Sequence, residues 1–228
     1  MITGDKKKIL ALIPAYNEGK FIGKLIEEIK NYIEDILVID DGSIDNTQEQ
    51  AFKNGAQVIK HKKNCGKGAA LKTGFEYAIS NNYDSVLILD GDGQHDPRDI
   101  PSFLESYEDA DILIGNRMNN VSKMPLIRYL TNKVTSGIIS FLIKKNIEDS
   151  QCGYRLIKTE VLKNIGFTTS KFDFESEILL IAGIKNYRIK SVPIKTIYYE
   201  DNISFINPVI DTFRFIRLIV NFIFKNKI

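Results

Sequence analysis

The sequence has no tryptophan and only two cysteines and two histidines among its 228 residues. The thiols of Cys65 and Cys152 are too few for a disulfide framework, and their spacing does not match a zinc-ligand motif. A chain with sparse, unpatterned cysteines is typical of a reducing compartment. We therefore expect a cytoplasmic protein without disulfides.

The chain also lacks a large excess of either sign of charge, and it lacks long apolar runs. The 31 basic and 29 acidic residues leave a net charge of +2, which gives no overall field that favours nucleic acid as a partner. No segment reaches the ~18 uninterrupted apolar residues of a membrane span. Residues 1–8 are short and polar, unlike a signal peptide. We expect a soluble chain, or one that is peripheral on the cytoplasmic membrane face.

The first half of the chain alternates short apolar runs with segments of helical periodicity. Apolar runs that are bounded by turn residues predict buried strands. They lie at residues 9–13, 36–39, 57–60, 86–89 and 111–115. Strands that alternate with helices predict an α/β domain with a mostly parallel central sheet and helices on both faces.

The second half is less regular. Helical periodicity covers residues 124–144 and 172–182 and begins again at residue 207, a polar loop is predicted at 149–158, and one or two strands at 187–199. We interpret residues 1–204 as one domain. Residues 205–228 form a C-terminal amphipathic helix with a basic stripe and a wide apolar face, as in helices that lie at a membrane interface.

The most informative stretch is Leu-Asp-Gly-Asp-Gly-Gln at residues 89–94, after the fourth predicted strand. Asp90 and Asp92 place two carboxylates on a tight turn, where glycine lets the backbone approach a ligand closely. Mg²⁺ and Mn²⁺ are often held by one or two carboxylates while substrate phosphates complete the shell. Residues 90–94 are therefore a candidate metal site for a nucleoside diphosphate.

Three alternatives compete for this stretch. A strand-end aspartate pair can simply cap the next helix. An EF-hand loop fits poorly, because His95 stands at its glycine position and Pro101 at its closing glutamate. An aspartyl-phosphate phosphatase would carry its motif on the first strand and continue it with threonine.

Polar motifs also follow the first two predicted strands, at residues 14–18 and 40–43. The carboxyl ends of parallel strands lie at one edge of a sheet, where ligands of open α/β folds bind. The three motifs should therefore meet in one cleft, which strengthens the metal interpretation.

Taken together, these motifs resemble the inverting family-two glycosyltransferases of the GT-A (Rossmann-like) fold, and especially the branch of dolichyl- and polyprenyl-phosphate sugar transferases. The resemblance covers roughly residues 8–200, and many motifs in the same order are unlike a chance match. The matching segments are IPAYNE (13–18), VIDDGSIDNT (38–47), GKGAALKTGF (66–75), LDGDGQHDP (89–97), GNR (115–117) and DSQCGYR (149–155).

The resemblance implies a nucleotide-sugar donor, UDP- or GDP-linked. A loop at the end of the first strand would line the base and ribose pocket, and Asp41 would hydrogen-bond the base or ribose. The loop residues are Pro14, Tyr16, Asn17 and Glu18. Asn17 is also a plausible N-cap of the following helix, and Pro14 and Tyr16 could equally form a rigid turn.

The same resemblance makes Asp92 and Gln94 the direct ligands of Mg²⁺ or Mn²⁺ and brings Asp90 to the metal or the ribose. His95 is then a supporting residue rather than a ligand. His61 is expected at the surface.

Basic residues are candidates for binding phosphate. Lys67 opens a helix behind glycine, and helix N-termini attract anions; a solvated lysine is the alternative. Arg117 and Arg155 are expected to receive the acceptor phosphate through their planar forks, or else to form ordinary surface ion pairs.

The reaction implied is one in-line displacement with inversion at the anomeric carbon. A polyprenyl-phosphate acceptor is already ionised, whereas a glycan hydroxyl needs a base, for which Asp149 is the first candidate. The reserve candidates Asp173, Glu175 and Glu177 could instead complement the dipole of a helix.

The acceptor is left open by the sequence. Apolar faces of the last helix and of residues 124–144 favour a membrane-bound lipid phosphate, but the same faces could pack on the core or on a second copy in a homodimer. The lipid-phosphate enzymes commonly carry proline where this chain has Ser150. Two other functions are candidates. A sugar-nucleotide pyrophosphorylase usually needs a glycine-rich loop after the first strand, which this chain lacks. The other is an inactive nucleotide-sugar-binding subunit.

Overall fold

The computed structural model describes residues 7–119, 121, 124–165, 174–195, 197 and 208–226. Its strands are β1 (Ile9–Ala15), β2 (Asp35–Asp40), β3 (Gln57–Lys60), β4 (Ser85–Ile88), β5 (Ile112–Asn116), β6 (Arg155–Lys158) and β7 (Ile189–Pro193). Its helices are α1 (Ile22–Ile29), α2 (Thr47–Lys53), α3 (Lys67–Ser80), α4 (Ile100–Glu105), α5 (Leu126–Ile143), α6 (Thr159–Asn164), α7 (Phe174–Ile184) and α8 (Pro208–Asn226). Short 3-10 turns lie at Pro97–Asp99 and Tyr107–Asp109.

The seven strands form one sheet in the order β3-β2-β1-β4-β6-β5-β7. Every pairing is parallel except those of β6, which runs antiparallel to both β4 and β5. The predicted α/β class, with a mostly parallel sheet surrounded by helices, is confirmed.

The first four strands and their helices follow the pattern of the sequence closely. Strand β1, an interior strand of the sheet, is buried along almost its whole length. Helix α1 buries Ile22, Leu25, Ile26 and Ile29 on one face, as its helical spacing predicts. In α3, a Cβ at Gly74 would lie 2.3 Å from a methyl carbon of Leu12, so only glycine lets this helix lie so close to β1.

Two local predictions were wrong. Asn17 does not cap α1, whose N-cap is Phe21; Asn17 has a φ of 57° and its side chain accepts a hydrogen bond from the Ile44 N–H. Residues 155–158, predicted as the end of a loop, form β6. A four-residue strand that begins and ends with a basic residue carries too little apolar periodicity to be recognised.

The region 187–199 contains one strand, β7, among its described residues. Residues 172–173 and 207, at the predicted starts of two helices, and residue 204, at the predicted domain boundary, lie outside the described residues. The division at residue 204 stays a prediction.

Helix α5 differs from α1 in which side it buries. It buries Asn132, Thr135 and Ser136 together with Ile139 and Ile143. Its exposed side chains include Leu126, Ile127, Leu130, Val134, Ile138 and Phe141, with Ile127 65% and Phe141 82% exposed. The polar face therefore docks on the body of the protein and the apolar face meets solvent.

Candidate functional site

The loops that follow β1 and β2 are hydrogen-bonded to each other. The Asn17 N–H donates to Ser43 Oγ at 2.9 Å, and the Glu18 N–H donates to Thr47 Oγ1 at 2.8 Å. The Asp41 N–H donates to the Ala15 carbonyl at 2.8 Å. These contacts hold the first two predicted motifs at one edge of the sheet.

The loop after β4 packs against the same place. A Cβ at Gly91 would lie 3.2 Å from the Ala15 Cβ and 3.3 Å from both Glu18 Cγ and the Pro14 carbonyl. Glycine between the two aspartates thus lets this turn lie directly on the end of β1. The three motifs meet, as their strand-end positions predicted.

Lys67 is the first residue of α3 and follows Gly66, whose φ of 94° is favourable only for glycine. Its Nζ lies 2.6 Å from Asp90 Oδ1 and 2.9 Å from Glu175 Oε1. A Cβ at Gly153 would lie 2.8 Å from Lys67 Nζ and 2.9 Å from Asp90 Oδ2. Four segments that are distant in the chain therefore surround one ion-paired lysine.

The ionisable groups of this cluster differ strongly in how their pKa values are shifted. Burial alone would raise the pKa of Asp90, but the nearby Lys67 ammonium lowers it to about 2. Burial alone would lower the pKa of Lys67, yet the carboxylates of Asp90 and Glu175 raise it overall. The pair is therefore fully ionised at neutral pH.

In the neighbouring carboxylates of Asp92 and Glu18, burial and like charges outweigh the nearby cations. Burial, and then the charge of Asp90, raises the pKa of Asp92 to about 6. Burial, and then the charges of Asp92 and Asp90, raises the pKa of Glu18 to about 7. These carboxylates repel one another at neutral pH, and a divalent cation among them would relieve that repulsion.

This donor set fits a hard divalent cation. Carboxylate and amide oxygens are preferred by Mg²⁺ and Mn²⁺, and Asp92 is further shaped by the Gln94 N–H, which donates to its Oδ1 at 2.9 Å. Within the described residues, the carboxylates after β4 do not come together as a closed group of ligands. A site whose remaining ligands are substrate phosphates has this open character.

His95 supports the loop from behind. It is buried, its Nδ1 accepts a hydrogen bond from the Asp90 N–H at 3.0 Å, and its ring stacks on Tyr154 with centroids 4.9 Å apart. Burial lowers its pKa to about 4, so the ring is neutral. The position agrees with a supporting role rather than with metal ligation.

Asp41 contacts the loop that leads into α3. Its carboxylate accepts the N–H groups of Cys65 and Gly66, the latter at 2.7 Å, and lies 2.7 Å from His61 Nδ1. It therefore fixes the loop that leads into α3, and its contact with the base or ribose stays a prediction. His61, expected at the surface, is partly buried in this contact.

Arg117 and Asp149 form a buried ion pair at the end of β5. Arg117 Nε and Nη2 each donate to an Asp149 oxygen at 2.8 Å, and the Arg117 N–H donates to Oδ2 at 3.1 Å. Asn132 of α5 adds a fourth bond at 2.7 Å. Burial is outweighed by these donors, which hold the pKa of Asp149 below its usual value.

Asp149 is only 1% exposed, so this arrangement does not offer it as a general base. The expectation that Arg155 presents a fork to phosphate is not met either. Arg155 is fully buried and donates to the carbonyls of Ser150, Cys152 and Glu175, each at 2.7 Å. It holds the loop that contains Gly153 against Lys67.

Sequence reasoning missed three contributors to this cluster. Gly153 lies within the DSQCGYR motif without a predicted role of its own, Asn132 lies within the predicted helix 124–144, and Glu18 is predicted only for the base and ribose pocket. Glu175, a reserve candidate for the base, instead forms an ion pair with Lys67. None of these contacts has a local sequence signal, because each joins residues from different elements.

Comparison with known proteins agrees with this geometry. The family model described as "Glycosyl transferase family 2" matches residues 11–166. An uncharacterized protein of Methanocaldococcus jannaschii is 34% identical over 229 residues, covering 96% of this chain and 94% of that one. A UDP-N-acetylglucosamine--dolichyl-phosphate N-acetylglucosaminyltransferase of Methanococcus voltae is 32% identical over 219 residues, covering 85% and 87%.

The fold is similar to that of a solved structure, glucosyl-3-phosphoglycerate synthase from Mycobacterium tuberculosis in complex with Mn²⁺, UDP and phosphoglyceric acid. The TM-score is 0.71 at 18% identity, with 96% of this chain and 78% of that chain covered. The family match spans more than half of the chain and includes the β1, β2 and β4 loops described above. The chain therefore belongs to glycosyl transferase family 2, and it is a glycosyltransferase.

Proposed function

We propose that the protein transfers a sugar from a UDP- or GDP-sugar to a polyprenyl or dolichyl phosphate, with inversion and with Mg²⁺ or Mn²⁺ as cofactor. One observation carries the proposal. Carboxylates from the ends of β1 and β4 meet beside Lys67 at the N-terminus of α3. This is an arrangement that can bind a metal-complexed diphosphate.

Asp90, Asp92 and Gln94 would hold the cation, and Glu18 lies close enough to Asp92 to sense its charge. When bound, the cation would neutralise charge that develops on the leaving diphosphate. Pro14, Tyr16 and Asn17 lie on the β1 side of this loop, where the nucleoside would sit.

Lys67 would bind the diphosphate. Its ammonium is already held at the N-terminus of α3 by Asp90 and Glu175, so it is positioned before the donor arrives. Positive charge that is fixed in advance costs little reorganisation during the reaction.

The buried Arg117–Asp149 pair supports an ionised acceptor. A glycan hydroxyl would need a carboxylate to take its proton, and Asp149 already accepts four hydrogen bonds. A lipid phosphate attacks through an oxygen that carries no proton. The printed name of the M. voltae relative, a dolichyl-phosphate transferase, supports the same acceptor class.

The exposed apolar face of α5 supports contact with a membrane that contains the lipid. Ile127, Val134 and Phe141 lie on it, and the exposed Lys133 and Lys144 flank it. Apolar side chains beside basic ones favour the interface of an anionic bilayer.

Helix α8 contributes a second such face. It packs on the core through Leu218 and Phe222, while Phe213 and Phe224 are 71% and 80% exposed. Part of the apolar face that was predicted to be interfacial therefore packs on the core, and the rest is exposed. Among the described residues, no helix has the length and apolar character that crossing a bilayer requires.

A transfer assay tests the proposal. Purified protein, radiolabelled UDP- and GDP-sugars and polyprenyl phosphate in anionic liposomes should yield a lipid-linked sugar only with Mg²⁺ or Mn²⁺, and Asp92→Asn should abolish it. Transfer to a free glycan, but not to the lipid, would establish the hydroxyl acceptor instead. Donor binding without transfer to either acceptor would identify an inactive binding subunit.

Flotation tests the membrane contact separately. The wild-type chain should float with anionic liposomes, and the double variant Val134→Asp/Phe141→Asp should not. Equal flotation would contradict a role for α5. Sedimentation of both proteins tests whether the same face instead forms a homodimer, since such a dimer would dissociate in the double variant.

A further inference from the structure

We propose a second metal site, for Zn²⁺ or a similar borderline cation, formed by Asp41, His61 and Cys65. One ligand-type atom from each side chain lies within 4.8 Å of the other two, and among the described residues this is the set that comes together so closely. Carboxylate oxygen, imidazole nitrogen and thiolate sulfur are the ligands of zinc sites. Its residues follow β2 and β3, whereas the Mg²⁺ or Mn²⁺ position proposed above lies at the ends of β1 and β4, and the two sites differ in chemistry.

The contacts around His61 suit a histidine that binds a metal through Nδ1. Thr73 Oγ1 lies 2.9 Å from His61 Nε2 and 3.2 Å from the Ala69 carbonyl, so it can accept a proton from Nε2 while it donates its own to Ala69. His61 Nδ1 then faces Asp41 Oδ1 at 2.7 Å. At that separation a proton or a metal ion must lie between the nitrogen and the carboxylate oxygen.

The supporting contacts that zinc ligands usually have are already in place. A metal-bound histidine donates its other N–H to a fixed acceptor, here Thr73, and a metal-bound carboxylate is held by further donors. The N–H groups of Cys65 and Gly66 donate to Asp41 Oδ2 at 3.0 and 2.7 Å. Oδ2 can keep these bonds while Oδ1 binds the ion.

Small side-chain movements complete the set. Tetrahedral zinc, with bonds of about 2.0 Å to nitrogen and oxygen and about 2.3 Å to sulfur, spaces its ligands about 3.3–3.6 Å apart. Cys65 is exposed and its thiol contacts only the Lys63 carbonyl, at 3.3 Å, among the hydrogen bonds of the structure's described part, so it can rotate inward. Binding releases the thiol proton to solvent and leaves the ring proton of neutral His61 on Nε2, facing Thr73, and water fills the fourth position.

Occupation of this site would affect donor binding, a consequence that rests on the proposed function. Asp41 belongs to the β2 loop beside the nucleoside position, and its partners Cys65 and Gly66 lead directly into Lys67. Zinc is therefore expected to compete with the nucleotide and to act as an inhibitor.

Cobalt titration without nucleotide tests the site by itself. Co²⁺ bound to a thiolate gives a near-ultraviolet charge-transfer band, which ions on the carboxylates after β4 cannot give. Wild-type protein should show this band with one equivalent of Co²⁺, and Zn²⁺ should remove it. Cys65→Ser should lose the band, although it keeps the backbone N–H that donates to Asp41. His61→Gln should bind Co²⁺ at least about tenfold more weakly. The control Cys152→Ala should behave like wild type.

Absence of the band in wild-type protein, or an equal band in Cys65→Ser, would overturn the site. Competition is measured next: Zn²⁺ should weaken the binding of Mg²⁺–UDP to wild type but not to Cys65→Ser. If Mg²⁺–UDP and Mg²⁺–GDP both fail to bind wild type, the proposed function fails, while the cobalt result still decides the metal site.

Discussion

Helices α1 and α5 both carry apolar side chains at helical spacing, but most of those side chains face the sheet in α1 and solvent in α5. In α1 the apolar stripe lies against the sheet; in α5 the inward side carries Asn132, Thr135 and Ser136, and the apolar stripe faces solvent. The inward polar groups of α5 all have partners, since Asn132 bonds Asp149 and Ser136 bonds Ser150 at 3.0 Å. Periodicity thus predicts a helix, but a satisfied polar network can decide which side is buried.

The largest expected effect comes from breaking that network. Arg117→Leu would leave the Asp149 carboxylate buried without its cation, and removing one partner of a buried ion pair costs about 3–5 kcal/mol. We expect this loss in the free energy of unfolding, measured by urea denaturation.

The matched control is Lys190→Ala, which removes an exposed ion pair with Asp109 and should cost less than about 1 kcal/mol. Equal losses in the two variants would mean that the polar face of α5 is not held by the buried pair.

A matched pair of substitutions compares the two helices directly. Ile26 in α1 is fully buried and Ile127 in α5 is 65% exposed. Ile26→Ala should lower the free energy of unfolding by about 2–5 kcal/mol, and Ile127→Ala should change it by no more than about 0.5 kcal/mol. A large loss for Ile127→Ala would show that α5 packs its apolar face in solution.

The strand-end cluster should give a distinctive pH dependence. Glu18 has its pKa raised from 4.5 to about 7, so between these values the folded state holds a proton that the unfolded state has lost. The stability of the metal-free protein should therefore fall as pH rises from about 4.5 to about 7. Glu18→Gln should reduce this pH dependence of the free energy of unfolding, measured by chemical denaturation at several pH values. An unchanged dependence would assign it to other titrating groups.

Glycine substitutions give the smallest effects. Gly153→Ala would press a methyl group on Lys67 and Asp90, which should cost about 1–3 kcal/mol and weaken nucleotide binding. A Cβ at Gly137 of α5 meets nothing within 4 Å, so Gly137→Ala should stabilise the helix by about 0.5–1 kcal/mol. Calorimetry on both variants checks the opposite signs, and equal signs would contradict the close approach at Gly153.

Much of the first half could be predicted from local pattern. The five predicted strands, the start of α3 and the meeting of the three polar loops follow from apolar runs and from where strands end in parallel sheets. Gly91 and Gly66 could be recognised as turn residues for the same reason.

The second half depended on contacts that no local pattern encodes. Arg117 pairs with Asp149 across 32 positions, and Arg155 binds carbonyls of two different segments. An arginine in sequence looks the same whether it binds a phosphate or a buried carbonyl. The antiparallel β6 was missed because its two apolar residues, Leu156 and Ile157, lie between Arg155 and Lys158 and form too short a run to predict a strand.

The most direct test of the central claim is calorimetric titration of UDP and GDP into wild-type protein and Asp92→Asn, with and without Mn²⁺. We predict binding of one of the two nucleotides that requires Mn²⁺ and is at least about tenfold weaker in Asp92→Asn, with the exposed control Glu76→Gln unchanged. Equal affinity with and without the metal, or equal affinity in Asp92→Asn, would contradict a metal-held diphosphate at the end of β4.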